Sequence, residues 1–179
     1  MNYMLKNIDN IDFTIPLSKM DLQEILKKES RNIHIKEIMD ASGYLKEDAK
    51  FMPLPEQKEY IERFTRAFFI RIKDIKEDKT HYEGLVNNKK LKDFLQVLEM
   101  QKNEARSHHE LCFQKIARIV ATYTAFVREE SIHPVGTKFP GGFVLRYENG
   151  VYYCPVKEKQ INTPSALCRF CVSVQDDSV

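Results

Sequence analysis

The feature that most constrains this chain is a helical apolar period that runs for over a hundred residues and then stops at a cluster of glycines and prolines. The strongest segment is Ile61, Phe64, Phe68, Ile72 and Ile75, apolar at three- and four-residue steps. Arg63, Arg66, Arg71 and Lys73 fall mostly elsewhere on the helical wheel. Pro53 and Pro55 mark its start, and Pro55 suits a first helical turn. Ser18 followed by Asp21 resembles a capping box and opens a helix carrying Met20, Leu22, Ile25 and Leu26. Ile35, Ile38, Met39 and Tyr44 predict a second helix, interrupted near Gly43. Asp78 to Gly84 is a break, and Leu91, Phe94, Leu95 and Leu98 form another short helix. Ser107 with Glu110 caps a long helix that presents Ile116, Ile119, Val120, Tyr123, Phe126 and Val127, and it should end near Ser131.

Beyond residue 131 the composition changes. His133 to Gly142 holds two prolines and three glycines and predicts a turn-rich loop. Phe143 to Glu148 reads as a strand, and Val151-Tyr152-Tyr153 as its partner. Asn149-Gly150 between them is a hairpin turn, because both turn positions need positive φ. Thr163-Pro164 looks like the start of a short helix carrying Cys168 and Cys171. The expected fold is mainly α. An antiparallel helical bundle over residues 1–131 should carry a packed module over 132–179, made of the Gly/Pro loop, a small β-hairpin and a cysteine-rich knuckle.

Composition excludes several classes. A chain of 179 residues with 11 Phe and 8 Tyr can build a core without staples. The net charge of +2, with no long run of one sign, argues against nucleic-acid binding, which calls for a basic stripe. No apolar stretch approaches the ~20 residues needed to cross a bilayer. Met1 to Ile15 lacks the continuous apolar segment of a signal peptide. The expected setting is the cytoplasm, where thiols stay reduced.

The four cysteines therefore point to metal, redox or core roles before disulfides. Cys168-x-x-Cys171 puts two thiolates on one side of a turn, and Cys154 leaves the hairpin near enough to join them. Structural zinc takes four ligands, Cys with or without His. His133, at the start of the Gly/Pro loop, is the preferred fourth ligand, and His108, His109 and Asp176 are alternatives. Cys112 keeps phase with Ile116, Ile119 and Tyr123, so it is expected in the core and not as a ligand. His108 and His109 are adjacent on a helix, point apart, and are expected in solvent. The loop from Gly136 to Gly142 could present N–H groups to an anion, with Lys138 and Lys157 adding charge, but a rigid structural loop is the better reading. Zinc is the expected ion, an iron–sulfur cluster the alternative, and a dithiol redox pair the third choice.

Four stretches carry a family resemblance: His133-Pro134-Val135-Gly136, Phe139-Pro140-Gly141-Gly142, Tyr153-Cys154-Pro155-Val156-Lys157 and Ala166-Leu167-Cys168-Arg169-Phe170-Cys171. With the helical part from Phe113 to Phe126, they resemble an uncharacterised protein family of methanogenic archaea, a domain of unknown function. The resemblance implies an archaeal, anaerobic, cytoplasmic setting and strengthens the iron–sulfur alternative. It implies no activity. Three functions follow as expectations. The first is a non-catalytic metal-binding accessory protein acting through a protein partner. The second is an enzyme whose metal keeps an open position beside the Gly/Pro loop, with His133 or Lys157 in the chemistry. The third is a helical interaction module without metal.

Overall fold

The computed structural model describes residues 7–179; the first six residues of the N-terminal stretch Met1 to Ile15 lie outside them. Five helices build the body: α1 (Lys19–Arg31), α2 (Ile35–Asp48), α3 (Leu54–Glu77), α4 (Asn88–Asn103) and α5 (His108–Thr122). The last continues into one wide turn, Tyr123–Val127. The C-terminal part holds β1 (Arg146–Glu148), β2 (Val151–Cys154), a four-residue helix α6 (Lys157–Gln160), a tight turn Cys168–Phe170 and β3 (Val174–Gln175). The chain is thus mainly helical, as expected, with a small C-terminal sheet of three strands.

Local chemistry sets the helix starts. The Ser18 hydroxyl accepts the Asp21 N–H at 3.0 Å, and Ser107 accepts that of Glu110 at 3.1 Å. The Glu110 carboxylate reaches back to the Arg106 N–H at 2.8 Å. Asn87 caps α4 through the Lys90 N–H at 2.9 Å. The apolar faces of the five helices then close one core, with Leu22, Leu26, Ile75, Leu91, Phe94, Ile116 and Tyr123 fully buried.

Several expectations need correction. α2 is not interrupted at Gly43 but runs through it to Asp48. Glycine serves there for close packing: a Cβ would lie 2.8 Å from His109 Nδ1 on α5. Nor does a helix start at Thr163-Pro164. Ala166 N–H closes a turn on Thr163 O at 3.0 Å, Cys168–Phe170 makes a single tight turn, and Cys171 is extended. The Lys157 ammonium captures the carbonyls of both Cys168 and Cys171, which fixes this segment as a loop.

The Gly/Pro loop folds back on itself as a rigid structure. Leu145 exchanges hydrogen bonds with Gly136 and Thr137, and Phe139 N–H donates to Phe143 O at 2.8 Å. Phe143 to Leu145 therefore pairs with the loop, and only Arg146–Glu148 pairs with β2. Asn149 and Gly150 take φ of 50° and 81°, as the turn requires. The sheet gains a third strand that the hairpin pattern does not announce: β3 pairs parallel with β2, Cys154 opposite Gln175. Phe170 joins the body's core, edge-on to Phe94 at 5.3 Å.

Helix α5 ends earlier than Ser131. Thr122 Oγ1 donates to the Arg118 carbonyl at 2.6 Å, a bond that loosens the helical ladder. The wide turn that follows aims the fully buried Tyr123 at Asp78, whose carboxylate accepts from the Tyr123 hydroxyl at 2.5 Å, the Tyr82 hydroxyl at 2.9 Å and the Thr80 N–H at 2.9 Å. Burial opposes ionisation of Asp78, but these donors outweigh it and hold the carboxyl well below its usual range. Tyr123→Phe should therefore cost about 2 kcal/mol, the scale of a hydrogen bond to a charged group. Because the folded-state pKa is depressed, this contribution is full above about pH 4 and is lost as pH falls toward the folded value. Urea unfolding of parent and variant should differ most at pH 7, with the gap narrowing steadily as the pH is taken below about 4.

Candidate metal centre

The C-terminal thiols sit on three short elements. Cys154 ends β2 and is buried, Cys168 opens the tight turn, and Cys171 follows it. All four cysteines are free thiols. Each C-terminal thiol is acted on by its neighbours. Burial raises the pKa of Cys154, and Cys171 adds to the rise. Burial likewise raises Cys168, followed by the charges of Cys154 and Cys171. The backbone N–H groups of Val156 and Lys157 face the Cys154 sulfur and work the other way.

Cys171 differs from the other two. Its sulfur accepts the Ile132 N–H at 3.4 Å and lies 3.1 Å from Ser173 Oγ and 3.7 Å from Ser131 Oγ. Burial pushes this thiol up, but the donors, Ser173 first, bring it below its ordinary value. It is the C-terminal cysteine best prepared to be a thiolate.

His133 follows Ile132, whose N–H donates to the Cys171 sulfur. Its ring stacks edge-on against Phe139 at 5.5 Å and Phe64 of α3 at 6.5 Å. Burial lowers its pKa and keeps the imidazole neutral. No hydrogen bond from this ring to a C-terminal thiol occurs among the described residues. Asp176 is engaged elsewhere: Arg146 grips it through Nε at 2.7 Å and Nη2 at 3.0 Å, and the Ser178 hydroxyl donates at 2.6 Å. That clamp ties the C-terminal end to the hairpin.

Among the described residues, the set whose ligand atoms all lie within 4.8 Å of one another is in the helical body: Asp40 of α2 with His108 and Cys112 of α5. Cys112 is buried among core residues, as expected, and burial followed by the charges of Asp40 and Glu37 raises its pKa. His108 and His109 point to different carboxylates, Asp40 and Glu47, each at 3.3 Å. Sequence reasoning could find the His108–Cys112 spacing, which places both on one helix face. It had no signal for Asp40, which arrives from a separate helix.

The architecture defines a class: a mainly helical body bearing a thiol-rich, three-stranded end piece. The chain belongs to the family described as an uncharacterized protein conserved in archaea (DUF2115), which matches residues 18–176. Similar proteins include a UPF0305 protein of Methanothermobacter thermautotrophicus, 59% identical over 163 residues, covering 91% of this chain and 99% of the relative. UPF0305 proteins of Methanococcus maripaludis (34% identical, 82% of this chain and 90% of the relative) and Methanocaldococcus jannaschii (30% identical, 89% and 97%) match less closely. No solved structure matches. No helix among the described residues is long and apolar enough to cross a membrane.

Ser173→Ala removes the nearest side-chain donor to Cys171. In metal-free protein it should shift the lowest thiol titration upward, read from thiolate absorbance against pH; an unmoved titration would mean that Ser173 does not set this thiol.

Proposed function

We propose that this chain is a cytoplasmic metal-binding accessory protein whose C-terminal module holds a divalent ion, zinc first, on Cys154, Cys168 and Cys171. His133 is the fourth ligand, and the protein acts through contacts with a protein partner. The observation that carries this reading is the set of N–H groups directed at two of the three sulfurs, that of Ile132 at Cys171 at 3.4 Å and those of Val156 and Lys157 at Cys154. Such donors spread the charge of a metal-bound thiolate. Lys157 supports the same reading: its ammonium binds the carbonyls of Cys168 and Cys171 and favours ionisation of Cys154 and Cys168. An ion there would order a module that has little apolar core of its own beyond Phe170 and Leu145.

Metal analysis of protein purified without oxygen tests this. Zinc should be present, and Cys168→Ser and Cys171→Ser should each lose one equivalent. His133→Ala should weaken binding about tenfold or more and make residues 132–179 protease-sensitive while the helical body persists. Iron with acid-labile sulfide would replace the ion by a cluster. Unchanged metal content and intact C-terminal segments in both cysteine variants would overturn the reading.

A further inference from the structure

His108 Nε2 lies 3.3 Å from Asp40 Oδ2 and 3.5 Å from Cys112 Sγ. One ring nitrogen carries either one hydrogen or one lone pair. As N–H it serves the carboxylate and leaves the thiol without its acceptor. As a lone pair it serves the thiol and turns a second acceptor toward the carboxylate. A single proton serves the carboxylate well and the sulfur at best as a weak, forked acceptor, whereas one cation can bind all three groups.

The two His108 distances agree with that alternative, and the Asp40 and Cys112 donor atoms lie within 4.8 Å of each other. Metal bonds of ~2.3 Å to sulfur and ~2.0–2.2 Å to nitrogen and oxygen give tetrahedral edges of roughly 3.4 Å for N···O and 3.6 Å for N···S. His108 and Cys112 share a face one helical turn apart. Gly43, one turn from Asp40, sets the close approach of α2 to α5. We propose that Asp40, His108 and Cys112 form a second divalent-metal site, independent of the C-terminal thiols, that takes a zinc-class ion and keeps at least one coordination position open. Thiolate, imidazole and carboxylate together suit zinc, cobalt or ferrous iron better than magnesium or calcium. Cys112 thus serves as more than core filler.

The site meets solvent. The His108 side chain is 72% exposed and that of Asp40 22%. Lys36 pairs with Asp40 at 3.1 Å but is 82% exposed, and such a surface pair gives way readily.

Anaerobic titration of the full-length protein with Co2+ tests the site through the sulfur-to-cobalt charge-transfer band and the number of ions bound. The double variant Cys168→Ser/Cys171→Ser should keep one thiolate-bound Co2+, and adding Cys112→Ser should abolish it. In the otherwise native chain, Cys112→Ser should lower the count by one. His108→Ala, at an exposed position that does not endanger folding, should weaken that ion about tenfold or more. If the native chain binds a single Co2+ that only Cys112→Ser removes, this site stands and the C-terminal one falls. Unchanged count and affinity in both Cys112→Ser and His108→Ala would overturn the inference, as would a double variant that stays folded without a thiolate band.

Discussion

The close approach of α2 to α5 organises the rest of the molecule. Gly43 lies inside α2, where glycine costs about 1 kcal/mol relative to alanine. The cost is accepted because the His109 ring occupies the space a side chain would need. With the two helices at this spacing, Cys112 and Ile116 enter the core, and Tyr44 meets Phe113 at 4.8 Å. The position of α5 then fixes its own far end. Tyr123 reaches Asp78, and Phe126 packs on Phe94 at 5.1 Å.

That far end is what the C-terminal part rests on. Phe94 of α4 receives two rings edge-on, Phe126 from the end of α5 and Phe170 from the loop that carries Cys168 and Cys171. One shared aromatic contact thus anchors the cysteine loop to the body. The other anchors are polar. Arg63 of α3 donates to the Gly136 carbonyl, Lys138 pairs with Glu59 at 3.0 Å, and Gln101 of α4 donates to the Ser165 carbonyl at 2.6 Å. A module built this way owes its position to a few directional contacts and one inserted ring, while most of its own residues stay partly exposed.

The helical body is legible in the sequence because its signals are local: an apolar period, serine caps and prolines at boundaries. Gly43 misleads because glycine in a helix reads as a break, and only the facing His109 reveals a packing role. The C-terminal elements are less legible. Asn149-Gly150 announces the hairpin, since its φ requirement is intrinsic. Strand β3 is two residues long and α6 four, too short to show any period, and both depend on partners distant in sequence. The candidate sites divide the same way. The Cys168-x-x-Cys171 pair is visible as spacing, and so is His108 with Cys112. Asp40 is an ordinary surface acid until α2 packs on α5, and the Ile132 N–H at the Cys171 sulfur is a contact across 39 residues.

Charge balance separates the two proposed sites. A divalent ion with one thiolate, one carboxylate and a neutral imidazole is neutral, so the Asp40 site can sit at a helix–helix surface without a dedicated counter-charge. Three thiolates around the same ion leave a net charge of −1, which a partly buried module must offset. Lys157 can supply that offset, since it reaches the Cys168 and Cys171 carbonyls and favours the ionised forms of Cys154 and Cys168. The same ammonium fixes the loop's path and balances the charge its sulfurs would carry. Were the proposed ion bound, folding of the loop and ion binding would be coupled through one side chain, since withdrawing Lys157 would leave two carbonyls without their donor and the thiolates without a counter-ion. The proposed mixed-ligand site would need no such coupling, because the packing of α2 on α5 already brings its three donors together.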